Sequence, residues 1–69
     1  MIAKRLTALR AETGLSKREL VSLLPLNYST YAKYELGFRE PNSDVLQMLA
    51  KHFGVSVDFL LGVSEVRHG

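Results

Sequence analysis

Lys17, Arg18, Lys33 and Arg39, with the hydroxyls of Ser29 and Tyr34, carry the most usable chemistry in this 69-residue chain. Lys33 can donate to the O6 and N7 acceptors of guanine. Ser29 can pair with several bases, and Ala32 can touch a thymine methyl group. Lys17, Arg18, Tyr34 and Arg39 can hold phosphates, contacts that set register without reading sequence. The charge distribution points the same way. Residues 1–39 hold seven Lys/Arg against three Glu, a net +4, and residues 40–69 hold two Lys/Arg against four Asp/Glu, a net −2. A basic first half beside an acidic second half suggests one surface turned toward a polyanion.

Other chemistries find little support. His52 and His68 have no partners at metal-ligand spacing, and Asp44, Asp58 and Glu65 form no acid/base pair. Asp58 suits the first turn of a helix, where its charge meets the positive end of the dipole. Met48 and the tyrosines sit at ordinary helical spacing. There is no glycine-rich phosphate loop and no nucleophile motif. No enzymatic activity, metal or cofactor is expected. The sequence contains no cysteine, so disulfide staples and thiolate metal sites are excluded, as in a reducing cytoplasm. No apolar run approaches the roughly 20 residues of a membrane span. Lys4 and Arg5 interrupt the N-terminus too early for a signal peptide. A cytoplasmic protein with no membrane partner is expected.

The elements that must position these groups read as five short helices. Ile2, Leu6 and Leu9 recur at helical spacing, and Gly14 can end that helix. Ser16 and Glu19 form a capping box ahead of Leu20, Val21 and Leu24. Pro25 stops the second helix. Asn27 caps a third that carries Thr30, Tyr31 and Tyr34 and ends near Gly37. Pro41-Asn42 breaks the chain and caps a fourth helix holding Val45, Leu46, Leu49, Ala50 and Phe53, closed by Gly54. Ser56 caps a fifth, with Val57, Leu60 and Leu61, closed by Gly62. No segment alternates as a strand would. The fold class is therefore all-α, one domain over residues 1–62, followed by a short tail, 63–69, expected to fray. Hydrophobic residues make up 46% of the chain, enough for one small core. Two short helices and a tight turn, with basic and hydroxyl residues on the second, are the parts of a helix-turn-helix.

Across residues 2–62 the chain resembles the lambda-repressor-like family of phage repressors, Cro proteins and bacterial regulators of the XRE type. The resemblance rests on Leu6-Thr7-Ala8-Leu9-Arg10, on Gly14-Leu15-Ser16-Lys17-Arg18-Glu19-Leu20 and on Tyr34-Glu35-Leu36-Gly37-Phe38-Arg39-Glu40-Pro41. It continues through Leu46, Leu49-Ala50, Phe53-Gly54-Val55-Ser56-Val57-Asp58 and Leu60-Leu61-Gly62. It implies a compact five-helix domain, a bacterial or phage source, and sequence-specific binding of double-stranded DNA by a transcriptional regulator acting as a repressor. The recognition helix would run over about residues 28–35 in the major groove, with Tyr28, Ser29, Ala32 and Lys33 toward the bases. Lys17, Arg18, Asn27, Tyr34 and Arg39 would meet the backbone. The resemblance also implies a partly buried ion pair between Arg10 and Glu35 that fixes the angle of two helices.

Several positions depart from the family pattern. Pro25 stands at the usual turn glycine, and Lys17 replaces a common Gln. Leu23, Tyr28, Leu36 and Phe38 fall where the family is usually exposed and polar. Clustered, they would mark a protein partner, which is the alternative function: an antirepressor-like or adaptor-like interaction module. A lone domain contacts few base pairs, so a homodimer is expected at least on DNA, with half-sites about 10 bp apart. Val57, Phe59, Val63 and Val66 are the candidate dimer surface.

Overall fold

The computed structural model describes residues 2–68 as five helices: α1 (Ile2–Thr13), α2 (Lys17–Ser22), α3 (Tyr28–Leu36), α4 (Ser43–Phe53) and α5 (Val57–Leu61). There is no strand among the described residues. Four of these helices start on a side-chain acceptor. The Ser16 Oγ accepts from the Glu19 amide at 3.1 Å, and the Glu19 carboxylate accepts from the Ser16 amide at 2.9 Å. Asn27 accepts from the Ser29 and Thr30 amides, Asn42 from Val45, and Ser56 from Phe59. Each such cap contributes about 1 kcal/mol by satisfying an amide that the helix leaves unpaired.

The ends of α3, α4 and α5 are alike. Gly37, Gly54 and Gly62 take the left-handed conformation, and the next amide reaches back to a carbonyl in the last turn: Phe38 to Lys33, Val55 to Ala50, Val63 to Asp58. This bond ties off carbonyls that would otherwise lack donors. The exit of α2 is different because Pro25 cannot be left-handed. Leu23, Leu24 and Pro25 form a tight turn in which Leu23 and Leu24 donate to the Leu20 and Val21 carbonyls. The Leu26 amide then donates to the Leu24 carbonyl at 2.8 Å, an inverse γ-turn centred on the proline. The φ that proline imposes is compatible with such a turn, so the departure from glycine is absorbed locally.

Helix α1 packs against α3 and α5, α2 against α3, and α4 against α5. The core gathers Leu6, Leu9, Leu20, Tyr31, Tyr34, Leu49, Ala50, Phe59 and Leu60. Tyr31 is wholly buried, with its ring edge-on to Tyr34 at 6.4 Å. Its hydroxyl is also buried and has no hydrogen-bond partner, although it faces the Glu35 carboxylate at longer range. Burial, and the nearby carboxylate, push its pKa far above the ordinary tyrosine value. A buried hydroxyl left unpaired costs stability rather than adding to it. Tyr31→Phe is therefore expected to hold stability or raise it by up to about 1 kcal/mol in urea melts. A loss larger than about 1 kcal/mol would show that the hydroxyl is bonded in solution.

Residues 63–68 fold back along α1 and α5. Arg67 donates both guanidinium arms to Glu12, at 2.8 and 2.6 Å, and Arg5 pairs with Glu65 at 2.9 Å. The Ser56 amide donates to the Arg67 carbonyl. The same contacts correct the reading of Phe59. Its ring is 7% exposed, with the Arg5 guanidinium 4.0 Å and the Arg67 guanidinium 5.4 Å from its centre. Phe59 is thus a core residue of its own chain, capped by two cations, and leaves the candidate dimer surface. Val63 and Val66 remain exposed, and Val57 is partly buried against the core.

Candidate nucleic-acid interface

Helix α3 is sided. Tyr31, Tyr34 and Glu35 turn inward, while Ser29 and Lys33 face solvent and Tyr28 is 44% exposed. The division follows from the 3.6-residue period, since Tyr31, Tyr34 and Glu35 share one face. Thr30 and Ala32 lie at the margin, half-buried. Tyr34 is 4% exposed with its ring in the core, so its expected phosphate contact falls to the hydroxyl tip alone, which is not buried. Among the described residues the Lys33 ammonium has no carboxylate within ion-pair range. Ser29 is more constrained. Its hydroxyl donates to Asn27 Oδ1 at 2.8 Å, which uses its proton and leaves its lone pairs to accept from a base amino group. The Asn27 Oδ1 is fully occupied as the cap, so only its amide nitrogen is left to donate outward.

The inward face of α3 anchors the helix to α1. Arg10 donates through Nε to Glu35 Oε2 at 2.7 Å and through Nη2 to Oε1 at 3.1 Å. Its remaining arm donates to the Leu15 carbonyl at 2.9 Å, and the Thr7 hydroxyl donates to Glu35 Oε1 at 3.2 Å. One guanidinium thus ties α1, the loop after it and α3 together in a planar, two-pronged geometry. Burial pushes the Glu35 carboxyl up, but the Arg10 hydrogen bonds, the Tyr31 and Thr7 hydroxyls and the Arg10 charge outweigh it. The net result is a carboxyl below its ordinary value of 4.5. Thr7 and Leu15 were not singled out from sequence. Thr7 sits three residues before Arg10 and so on the same face of α1, which was the available signal.

The basic residues divide into two groups. Lys17 opens α2 and is half-buried, and Arg18 and Arg39 are exposed. Arg5 and Arg67 instead serve the tail. Glu19, next to Arg18, is held by the Ser16 amide, which lowers its pKa and keeps its charge engaged at the cap. The Arg18 guanidinium lies 5.3 Å from the centre of the Tyr28 ring, so the start of α2 touches the start of α3.

Compared with known families, residues 6–60 match the helix-turn-helix family model, most of the chain and all of α2 and α3. The chain belongs to the lambda-repressor-like helix-turn-helix family. It is similar to the HTH-type transcriptional regulator AnsR of Bacillus subtilis, 45% identical over 58 residues, covering 84% of this chain and 50% of that protein. It is also similar to the HTH-type transcriptional regulator ImmR of the same organism, 34% identical over 65 residues, covering 94% of this chain and 51% of that one. The cryptic phage CTXphi transcriptional repressor RstR of Vibrio cholerae is 31% identical over 65 residues, covering 94% and 59% of the two chains. The chain spans about half the length of these relatives.

Of the four apolar departures, Tyr28 and Leu36 lie at opposite ends of α3. Tyr28 sits under Arg18 at the start of α3. Leu36, at its other end, lines a shallow groove with Ala3, Thr7, Ala8 and Ala11 of α1. Eight residues of helix put those two positions about 12 Å apart. Leu23 and Phe38 are exposed beyond the ends of α2 and α3. Among the described residues no His/Cys/Asp/Glu group could hold a metal ion, and no helix is long and apolar enough to cross a membrane.

Proposed function

We propose that the chain is the sequence-specific, double-stranded-DNA-binding domain of a transcriptional repressor, with α3 in the major groove. The observation that carries this reading is the sidedness of α3. Its inner face is locked to α1 by Arg10 and Glu35, and its outer side presents Ser29 and Lys33, with Ala32 at the margin. A helix that is rigidly held and polar outward fits a groove about 12 Å wide. Lys33 donates to guanine, Ser29 accepts from adenine or cytosine amino groups, and Ala32 meets a thymine methyl. Lys17, the Asn27 amide and Arg39 hold phosphates. The names of the relatives, regulators and in one case a repressor, support the regulatory role. Two copies on a two-fold axis would supply the base contacts that one short helix lacks. The basic first half of the chain favours DNA over a protein partner.

Selection of bound sites from a random duplex library tests the reading directly. The expected product is one enriched motif, repeated with two-fold symmetry at about 10-bp spacing or a multiple of it. A protein that enriches no duplex at low salt is not a DNA-binding domain.

Backbone anchoring has its own signature. Lys17→Ala is expected to weaken the selected and a scrambled duplex by the same factor and to lower the slope of log affinity against log salt by about one. An unchanged slope would remove Lys17 from the phosphate contacts.

A further inference from the structure

The arginines of this chain are not in equivalent states. Arg10 spends its guanidinium on Glu35 and the Leu15 carbonyl, Arg67 on Glu12, and Arg5 on Glu65. Arg18 makes no hydrogen bond to any described residue, yet it is held. Its guanidinium lies 5.3 Å from the centre of the Tyr28 ring, within the range of a cation over an aromatic face. Its neighbour Glu19 is occupied by the Ser16 amide. The contact with the ring ties none of the N–H groups along the guanidinium edge to an oxygen acceptor. Carboxylate pairing uses that edge. Arg18 is therefore the arginine that is positioned while its donors stay available.

From this arrangement we propose that Arg18 reads a guanine at the edge of the binding site, with Tyr28 as the positioning platform that fixes the plane of its guanidinium. The proposal rests on the DNA-binding reading and moves Arg18 from the phosphate contacts to the base contacts. A phosphate needs only a nearby positive charge. A guanine needs two N–H donors in one plane, aimed at O6 and N7. Holding the plane in advance removes part of the ordering cost of that contact. Tyr28 is the first residue of α3, adjacent to Ser29, so the stack stands at the end of the helix that carries the base-facing side chains.

Site selection with the full chain and with four single variants tests the assignment. The wild type is expected to enrich a motif containing a guanine that depends on Arg18. Arg18→Lys keeps the charge and discards the planar fork. It should erase that guanine preference and weaken the selected duplex about 5- to 150-fold. Its affinity for a scrambled duplex should stay within about twofold, because phosphate attraction follows the charge. Arg18→Ala should erase the same column. Tyr28→Ala should erase it as well, and Tyr28→Phe, which keeps the ring face, should restore it. Thermal melts of all four variants should match the wild type, since both side chains are exposed.

Three outcomes overturn the proposal: Arg18→Lys retains the guanine column, the column lost is not guanine, or Tyr28→Phe loses as much as Tyr28→Ala. In each of these cases a wild type that still enriches a motif leaves the DNA-binding reading standing. A wild type that enriches nothing removes both.

Discussion

Arg10→Met is expected to lower the stability of the fold by about 3–5 kcal/mol at neutral pH, the range for breaking a buried ion pair from one side. Glu35 is the reason. Its side chain is 2% exposed, and without Arg10 its carboxylate keeps only the Thr7 hydroxyl and the more distant Tyr31 hydroxyl. Arg10 itself is 18% exposed, so removing it opens little of the core, and the stranded negative charge accounts for most of the loss. A domain of this size has only about 3–10 kcal/mol to lose. The melting temperature should fall by at least about 12 °C. Glu35→Gln in the same background should recover much of the deficit, because no charge is then stranded. Additive effects in the double-mutant cycle would show that the two residues act independently.

The pH dependence has a definite sign. In the wild type the Glu35 carboxyl lies below its ordinary value, so the folded state holds its proton less tightly than the unfolded chain does. That contribution is fully present above the unfolded pKa and is lost as the pH falls through the folded one. In Arg10→Met the order reverses, since burial then dominates and raises the carboxyl. The variant gains stability on acidification where the wild type loses it. Urea midpoints for the two proteins should converge between pH 7 and pH 4. A constant gap across that interval would mean that Glu35 is not the stranded group.

Lys33→Ala is expected to weaken the selected duplex by about 5- to 150-fold, the discrimination of one good base contact, and to flatten preference at one base position. A scrambled duplex should lose only the contribution of one charge. The expectation follows from the place of Lys33 on the outer face of α3, with no carboxylate pairing among the described residues. Binding isotherms on both duplexes decide it. Equal losses on the two would make Lys33 a phosphate contact and leave base reading to its neighbours.

Helix boundaries were legible because their causes are local. A serine three residues before a glutamate, an asparagine before an apolar stripe and a glycine after one each satisfy backbone groups within a turn of themselves. The Arg10–Glu35 pair was reachable only through the family resemblance, since 25 residues separate its partners and no local pattern joins them. The packing of Tyr34 was only half legible, because a tyrosine has an apolar body and a polar tip and periodicity alone does not say how much of it the core takes. The Arg18–Tyr28 stack and the tail contacts were missed for one reason. They join residues whose proximity exists only after α2, α3 and α5 have packed.

The folded-back tail implies an order of events. The Glu12–Arg67 and Arg5–Glu65 pairs close loops spanning 55 and 60 residues, most of the chain. Such closures become affordable once the helices have already brought their ends together. Ion pairs near the surface return about 0–1 kcal/mol each, and salt screens them. They therefore form after the core on the way in and release before it on the way out. Phe59 depends on the two guanidinium groups for part of its cover. When heat or salt begins to loosen the protein, the tail is the first segment to leave, and Phe59 is the first core side chain to meet water.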